Sequence, residues 1–438
     1  MSNQDWLSRS LAAVWHPCTQ MKRHERFPLV PIARGQGAWL YDFDGRRYLD
    51  SVSSWWVNLF GHANPFINEA LKDQLDRLEH VMLSGFTHAP VVELSERLAA
   101  CTGGRLGHAF YGSDGASATE IALKMSFHFW RNSGRPEKTG FVSLANSYHG
   151  ETVGALAVTD VALFKDTYAP LLRQTVQVPT PDARLAAPGE SDEAYALRCV
   201  SALEAHLAAH HETTAALIVE PLVQGAAGMA MYHPAYLTAA RALCDRHGVH
   251  LIADEIAVGF GRTGSFFACE QAHIWPDLLC SSKGLSGGYL PLSVVLCTED
   301  IYRAFYDDEA ARGFLHSHSY TGNALACRAA LATLDLFERD DVLARNRVRA
   351  ETINALAQPI RLLPYVRHFR NRGMIWAFDI ADAPAEFAQR LFAAALGHEL
   401  LLRPMGNTVY WMPPYVITEE ESAHLVGATR RALADVVG

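Results

Sequence analysis

The stretch Leu279–Pro291, LCSSKGLSGGYLP, carries a single charge, Lys283, set behind an apolar run and wrapped in small residues. Lysine is scarce in this chain, with six copies at positions 22, 72, 124, 138, 165 and 283, so nearly all of the basic charge is arginine. Arginine cannot replace a primary amine that loses its proton in an apolar pocket and then acts as nucleophile or base. The ordinary alternative is a lysine snorkelling from a strand end. Three other groups raise the same question. Asp254 ends the apolar run VHLIADE, where an ionised carboxylate needs a cation or a structural salt bridge. The turn Gly112-Ser113-Asp114-Gly115 opens a helical pattern, so it either binds a phosphate on free backbone N–H groups or only starts a helix. Tyr148, in NSYHGET, either stacks on a flat ring or packs. A phosphate cradle, an aromatic lid, a buried carboxylate and a buried amine together match the needs of pyridoxal 5'-phosphate. Its phosphate must be anchored, its ring covered, its pyridine nitrogen kept protonated by an acid and its aldehyde held by a lysine.

These groups need elements to carry them. From about residue 100 the chain alternates short apolar runs with longer amphipathic ones, the pattern of a sheet flanked by helices. Strands are expected at 107–112, 139–150 (running into a loop), 214–225 (likewise), 249–255, 277–284 and 290–297, the last two as neighbours joined by a tight loop. Helices are expected at 118–132, with Ile121, Met125 and Phe129 on one face, and at 234–248, ended by Gly248. The 112–115 turn, Tyr148, Glu220, Asp254 and Lys283 then fall at or just past the C-terminal ends of strands, where open α/β sheets bind ligands. Residues 180–195, TPDARLAAPGESDEAY, read as an exposed loop.

The bulk numbers narrow the class. A length of 438 residues, 49% hydrophobic and 19% charged, fits a packed protein of two or three domains or one large α/β domain with an appendage. A net charge of -9, with no tract of Lys and Arg, argues against a nucleic-acid partner, and ARNRVRAE (344–351) reads as the wet face of a helix. No apolar run is long enough to span a membrane, and MSNQDWLSRS lacks the pattern of a signal peptide, which points to the cytoplasm. The eight cysteines form no C-x-x-C pair and read as reduced thiols. Metal is not expected: His206 and His210 have helical spacing without the rest of a zinc motif, and His316 with His318 is too small a set.

With those residues in place, the chain resembles the class-III pyridoxal-phosphate aminotransferases over nearly its whole length. The string LIADEIAVGFGRTGSFFACE (251–270), followed by PDLLCSSKGLSGGYLP, carries the likeness. WHPCTQM (15–21), SSWW (53–56), EPLVQGAAGM (220–229), TGNALAC (321–327) and RPMGNTVYWMPPY (403–415) resemble the branch of biotin synthesis.

The resemblance implies fold type I, an α/β fold with a mostly parallel central sheet in a large domain (80–330). A smaller α+β domain would come from residues 1–79 and 331–438. It implies that Lys283 carries the cofactor as a Schiff base, that Asp254 partners the pyridine nitrogen and that Tyr148 stacks on the ring. Asp114, Gly115 and Ala116 would hold the phosphate. His318 and Ser319 would reach it from the neighbouring subunit, hence a homodimer with shared sites. Cys18, Trp55, Trp56, Tyr148, Ser317, Arg403 and Tyr410 would meet the substrates. Cys18 stands where the family often has tyrosine, and Ser319 where threonine is usual.

The implied reaction is a ping-pong amino transfer from S-adenosylmethionine or lysine to a long keto acid. The freed Lys283 amine would move the proton, Arg403 would fork the distant carboxylate, and Trp55 and Trp56 would line the chain. An ω-amino-acid or diamine:pyruvate aminotransferase is the alternative within the class. A nicotinamide-dependent oxidoreductase would need a G-x-G-x-x-G that GSDGAS does not supply. A non-catalytic regulator would not need both Lys283 and Asp254.

Overall fold

The computed structural model describes all 438 residues. The chain divides into two compact units, one of Met1–Pro65 with Arg345–Gly438 and one of Phe66–Ala344. These bounds lie outside the expected 79/80 and 330/331. At the C-terminal side the reason is visible: Arg97 pairs with both Asp335 (2.5 Å) and Glu338 (2.9 Å), tying the helix Ala324–Arg339 to the helix Ala89–Cys101 of the larger unit.

The larger unit is built on a seven-stranded sheet. In chain order its strands are β1 (His108–Gly112), β2 (Gly140–Leu144), β3 (Val176–Val178), β4 (Thr214–Val219), β5 (His250–Asp254), β6 (Leu278–Ser281) and β7 (Ser293–Cys297). Their spatial order is β1-β7-β6-β5-β4-β2-β3. All neighbours are parallel except β7, which runs antiparallel to both β6 and β1. The expected mixed α/β fold with a mostly parallel sheet is therefore present. The strands β4, β5, β6 and β7 are buried along their full lengths, which is why they read as unbroken apolar runs rather than alternating ones. The helix Gly115–Asn132 lays Ala118, Ile121, Ala122 and Met125 into this core beside Ile218, Ile252 and Val295. The helix Ala235–His247 stops at Gly248, whose φ of 58° is left-handed and open to glycine without strain.

One loop expectation is corrected. Within 180–195, Pro181 and Asp182 are buried, because Thr180 bonds Gln224 and Asp182 pairs with Arg184 at 2.7 Å. Buried polar groups with partners carry little penalty. A helix then begins at Asp192, capped by Ser191.

The smaller unit has a four-stranded sheet (Ile32–Gln36, Trp39–Asp42, Arg47–Asp50 and Leu400–Leu401) and an antiparallel three-stranded sheet (Val366–Arg372, Ile375–Ile380 and Thr408–Trp411). The C-terminal helix Glu419–Val437 opens on a capping box between Thr418 and Glu421.

Candidate active site

In the larger unit the polar groups sit where the strands end. Past β1, Asp114 is the N-cap of the helix Gly115–Asn132. Its carboxylate accepts hydrogen bonds from the Ser117 amide and hydroxyl, both at 2.9 Å. Its side chain is thus committed to the helix, and what the turn offers an anion is the backbone N–H of Gly115 and Ala116 with the positive end of the helix dipole. A Cβ on Gly115 would stand 2.9 Å from Ile256 Cγ2, so a larger residue would spread the turn. Ser113 Oγ lies 2.9 Å from His318 Nδ1 of the same chain, while Ser317 and Ser319 are exposed.

Past β5, Asp254 is buried. One carboxylate oxygen accepts from the Ile256 amide at 3.0 Å and the other lies 2.7 Å from His149 Nδ1. His149 follows Tyr148 in the loop after β2. Its own amide is fixed on Thr159 Oγ1 at 2.9 Å, and its Nε2 is buried without a hydrogen-bond partner. Past β4, Glu220 accepts the Tyr148 amide and the Gly225 amide, each at 3.0 Å. Burial pushes Glu220 up to about 7, with the nearby Asp254 charge adding to the shift and His149 opposing it. The Tyr148 hydroxyl donates to Glu151 at 2.9 Å and its ring meets Phe164 edge-on. His149 and Glu220 are therefore parts of the site to which the sequence alone gave no role. The signal available for them was position: one adjoins Tyr148 and the other ends a strand.

Past β6, the loop that carries Lys283 is closed by serine hydroxyls. Ser282 donates to the Leu292 carbonyl at 2.8 Å and Ser286 to the Leu290 carbonyl at 2.6 Å. Lys283 keeps some exposed surface, yet its surroundings are dense enough that burial lowers its pKa below that of an ordinary lysine, against the opposing pull of Asp254 and Glu220. A lysine so placed is neutral more often and is a better nucleophile and base.

In the smaller unit, Trp55, Trp56, Arg403 and Tyr410 come together. The Arg403 guanidinium lies 3.6 Å from the Trp55 ring centroid, and no acidic side chain pairs with it. Trp56 Nε1 donates to the Tyr410 hydroxyl at 3.2 Å, and burial raises the pKa of that phenol. Cys18 is exposed, with a left-handed φ of 52°.

The larger unit meets the chemical demands of pyridoxal phosphate: an N-terminal helix turn for the phosphate, a buried carboxylate backed by a histidine for the ring nitrogen, and a desolvated amine. When bound, this group supplies an aldehyde that takes up an amino group and a ring that accepts electrons from the substrate carbon. Lys283 can anchor it and move a proton at Nζ, and Asp254 can hold a cationic ring nitrogen.

The chain matches the aminotransferase class-III family over residues 20–433. It is 48% identical over 419 residues to adenosylmethionine-8-amino-7-oxononanoate aminotransferase of Helicobacter pylori, covering 94% of this chain and 93% of that one. The solved structure of the protein of the same name from Methanocaldococcus jannaschii superposes with a TM-score of 0.93 at 34% identity over 99% of both chains. An omega-transaminase from Thermomicrobium roseum superposes with a TM-score of 0.94 at 29% identity, over 100% of this chain and 99% of the other. The chain belongs to the class-III aminotransferases, enzymes that work with pyridoxal 5'-phosphate.

Proposed function

We propose that the enzyme aminates 8-amino-7-oxononanoate to 7,8-diaminononanoate, a step of biotin synthesis. S-adenosylmethionine is the preferred donor, with lysine as its competitor. The observation that carries this reading is the Arg403 guanidinium lying on the half-exposed Trp55 ring without a carboxylate of its own. An aliphatic keto acid with a distant carboxylate supplies both missing partners, an anion for the fork and a methylene chain for the indole. Similarity to proteins named for this substrate supports it.

In this reading Lys283 anchors the cofactor and moves the proton, Asp254 holds the ring nitrogen and Tyr148 covers the ring. Gly115 and Ala116 hold the phosphate, joined by Ser319 of a second subunit in a homodimer, while His318, expected to reach across with it, is held by Ser113 of its own chain. Trp56, Tyr410 and Ser317 line the acceptor side, and Cys18 stands where a phenol would otherwise touch substrate. Eight free thiols suit a reducing, cytoplasmic setting.

Single-turnover spectroscopy tests both halves. S-adenosylmethionine should bleach the visible band of the cofactor-loaded enzyme within one turnover. Arg403→Ala should raise the acceptor KM about 10- to 100-fold, the worth of a charge-assisted hydrogen bond, with the donor half-reaction spared. Bleaching by lysine alone would reverse the donor order. The likeness to an omega-transaminase supports a second reading, an ω-amine enzyme. Bleaching by small ω-amines, with neither S-adenosylmethionine nor lysine active, would establish that one instead.

A further inference from the structure

Four consecutive residues that are not glycine, Ser53, Ser54, Trp55 and Trp56, have φ values of 50°, 47°, 73° and 75°. They form one turn of left-handed helix, a conformation that costs L-residues roughly 1–2 kcal/mol each. Strain of this size persists only where the surroundings over-determine it. The fastenings are visible. Ser53 Oγ donates to the Met412 carbonyl at 2.7 Å, and the Trp56 and Val57 amides close on the Val52 and Ser53 carbonyls at 2.8 and 3.0 Å.

The remaining fastening is Asp50, whose carboxylate is fully buried. One oxygen accepts from the Val52 amide at 3.2 Å. The other accepts from Ser54 Oγ at 2.9 Å and meets His62 Nε2 at 3.0 Å. Asn58 lies 3.1 Å from His62 Nδ1. With Asn58 donating there, the ring proton is on Nε2 and points at Asp50. A buried carboxylate with three donors, two of them from the strained segment or its entry, is held for what it holds. The turn points its two indoles apart: Trp56 is buried against Tyr410, while Trp55, next to the exposed Ser54, is 42% exposed with Arg403 on its face. A right-handed turn would send the two indoles elsewhere, because reversing φ and ψ at four residues redirects every Cα–Cβ bond.

We propose that Asp50, steadied by His62, is a positioning residue for acceptor specificity. It holds the Ser53–Trp56 turn left-handed so that Trp55 and Arg403 form one preassembled wall. The inference rests on the reading of Arg403 and Trp55 as the acceptor's carboxylate end.

The test uses Asp50→Asn, Ser54→Ala and Ser54→Gly in the full-length, cofactor-loaded enzyme, with acceptor KM, donor half-reaction rate and near-UV circular dichroism as readouts. Ser54→Ala removes the hydroxyl and keeps the strain. It should raise the acceptor KM about tenfold, leave the donor half-reaction within about twofold and weaken the tryptophan dichroism. Ser54→Gly removes both the hydroxyl and the strain, since glycine adopts positive φ freely, and should recover most of that loss. Asp50→Asn should act like Ser54→Ala or more strongly. Equal loss in both half-reactions, or failure of Ser54→Gly to do better than Ser54→Ala, overturns the proposal. If Arg403→Ala leaves the acceptor KM unmoved, the acceptor reading itself fails. If Arg403→Ala raises it and Ser54→Ala does not, only the role of the turn fails.

Discussion

Lys138 donates to the carbonyls of His211 at 2.6 Å and Thr214 at 2.9 Å, and its ammonium lies 4.5 Å from the Trp130 ring centroid. It is almost fully buried, and burial pulls its pKa down to about 8. Burial alone therefore does not distinguish Lys283, the other lysine whose pKa burial lowers. The two differ in what surrounds the amine. Lys138 meets two carbonyls and an indole face, which hold a cation in place. Lys283 sits in the field of Asp254 and Glu220, at the ends of strands. Lys138→Met should cost about 1–3 kcal/mol, because two buried carbonyls lose their donor, and should leave the donor half-reaction intact. Lys283→Ala should do the reverse, abolishing amino transfer while the urea midpoint stays near that of the parent. Turnover by Lys283→Ala would remove its assignment, and an unmoved midpoint in Lys138→Met would show that its carbonyls find other donors. The sequence made Lys283 conspicuous because small residues and glycines surround it. It gave no sign that Lys138, after the charged and proline-bearing RPE, is buried. Nor could it show that His149 is the residue on Asp254, since 105 positions separate them and only the loop after β2 brings them together.

Strand β3, a three-residue edge strand with Val176 exposed, was not expected from the sequence. Strands β4, β5 and β6 were legible because they are buried along their full lengths, and their ends, hence the site, were legible with them. Less so was β7, whose apolar run carries no mark of its antiparallel direction beyond the short loop that forces it. The left-handed turn at Ser53–Trp56 was hidden altogether: no glycine announces it, and it exists through contacts with Asp50 and Met412 rather than through local preference. Strand β5 carries a further consequence. His250, its first residue, is buried with its ring stacked on Trp130, its centroid 4.5 Å away, and its Nδ1 lies 2.9 Å from Ser126 Oγ. Burial lowers its pKa to about 4. The folded state thus resists protonation, and the unfolded chain takes the proton first, near the ordinary value of about 6.5. Stability rises with pH wherever the unfolded state binds more protons, so this term is complete above about 6.5 and is lost as pH falls toward 4. Its ceiling is about 3 kcal/mol. Glu220 and Glu255, pushed up to about 7 by burial, act in the opposite sense over part of this range, so the comparison must be between variants. His250→Gln should lose less stability than the parent between pH 6.5 and 4.5 in thermal melts at one protein concentration. Parallel melting curves would mean that His250 does not carry the term.

At the scale of the whole molecule, the proposal of a homodimer with shared sites rests on a short segment. His318 turns to Ser113 of its own chain, whereas the next residue, Ser319, is exposed, and its backbone carbonyl accepts from His80 Nε2 at 2.8 Å. The segment is thus fixed to its own subunit while presenting a hydroxyl outward, the arrangement needed if that hydroxyl serves a phosphate in the partner. Ser319→Asp would then place a negative charge against the partner's phosphate and spare the site of the subunit that bears it. Lys283→Ala disables only its own subunit. In a heterodimer of the two variants, the subunit carrying Ser319→Asp would damage the site that already lacks its lysine, leaving the other site with an intact Lys283 and an unaltered Ser319 from across the interface. Mixing the two inactive proteins should therefore recover about one quarter of the parent activity, because random exchange makes half the dimers mixed and each mixed dimer keeps one of two sites. The check is activity against time after mixing, with exchange verified by mass-tagged subunits. If Ser319 instead served its own subunit, each site of the mixed dimer would carry one lesion, and no activity would return however complete the exchange.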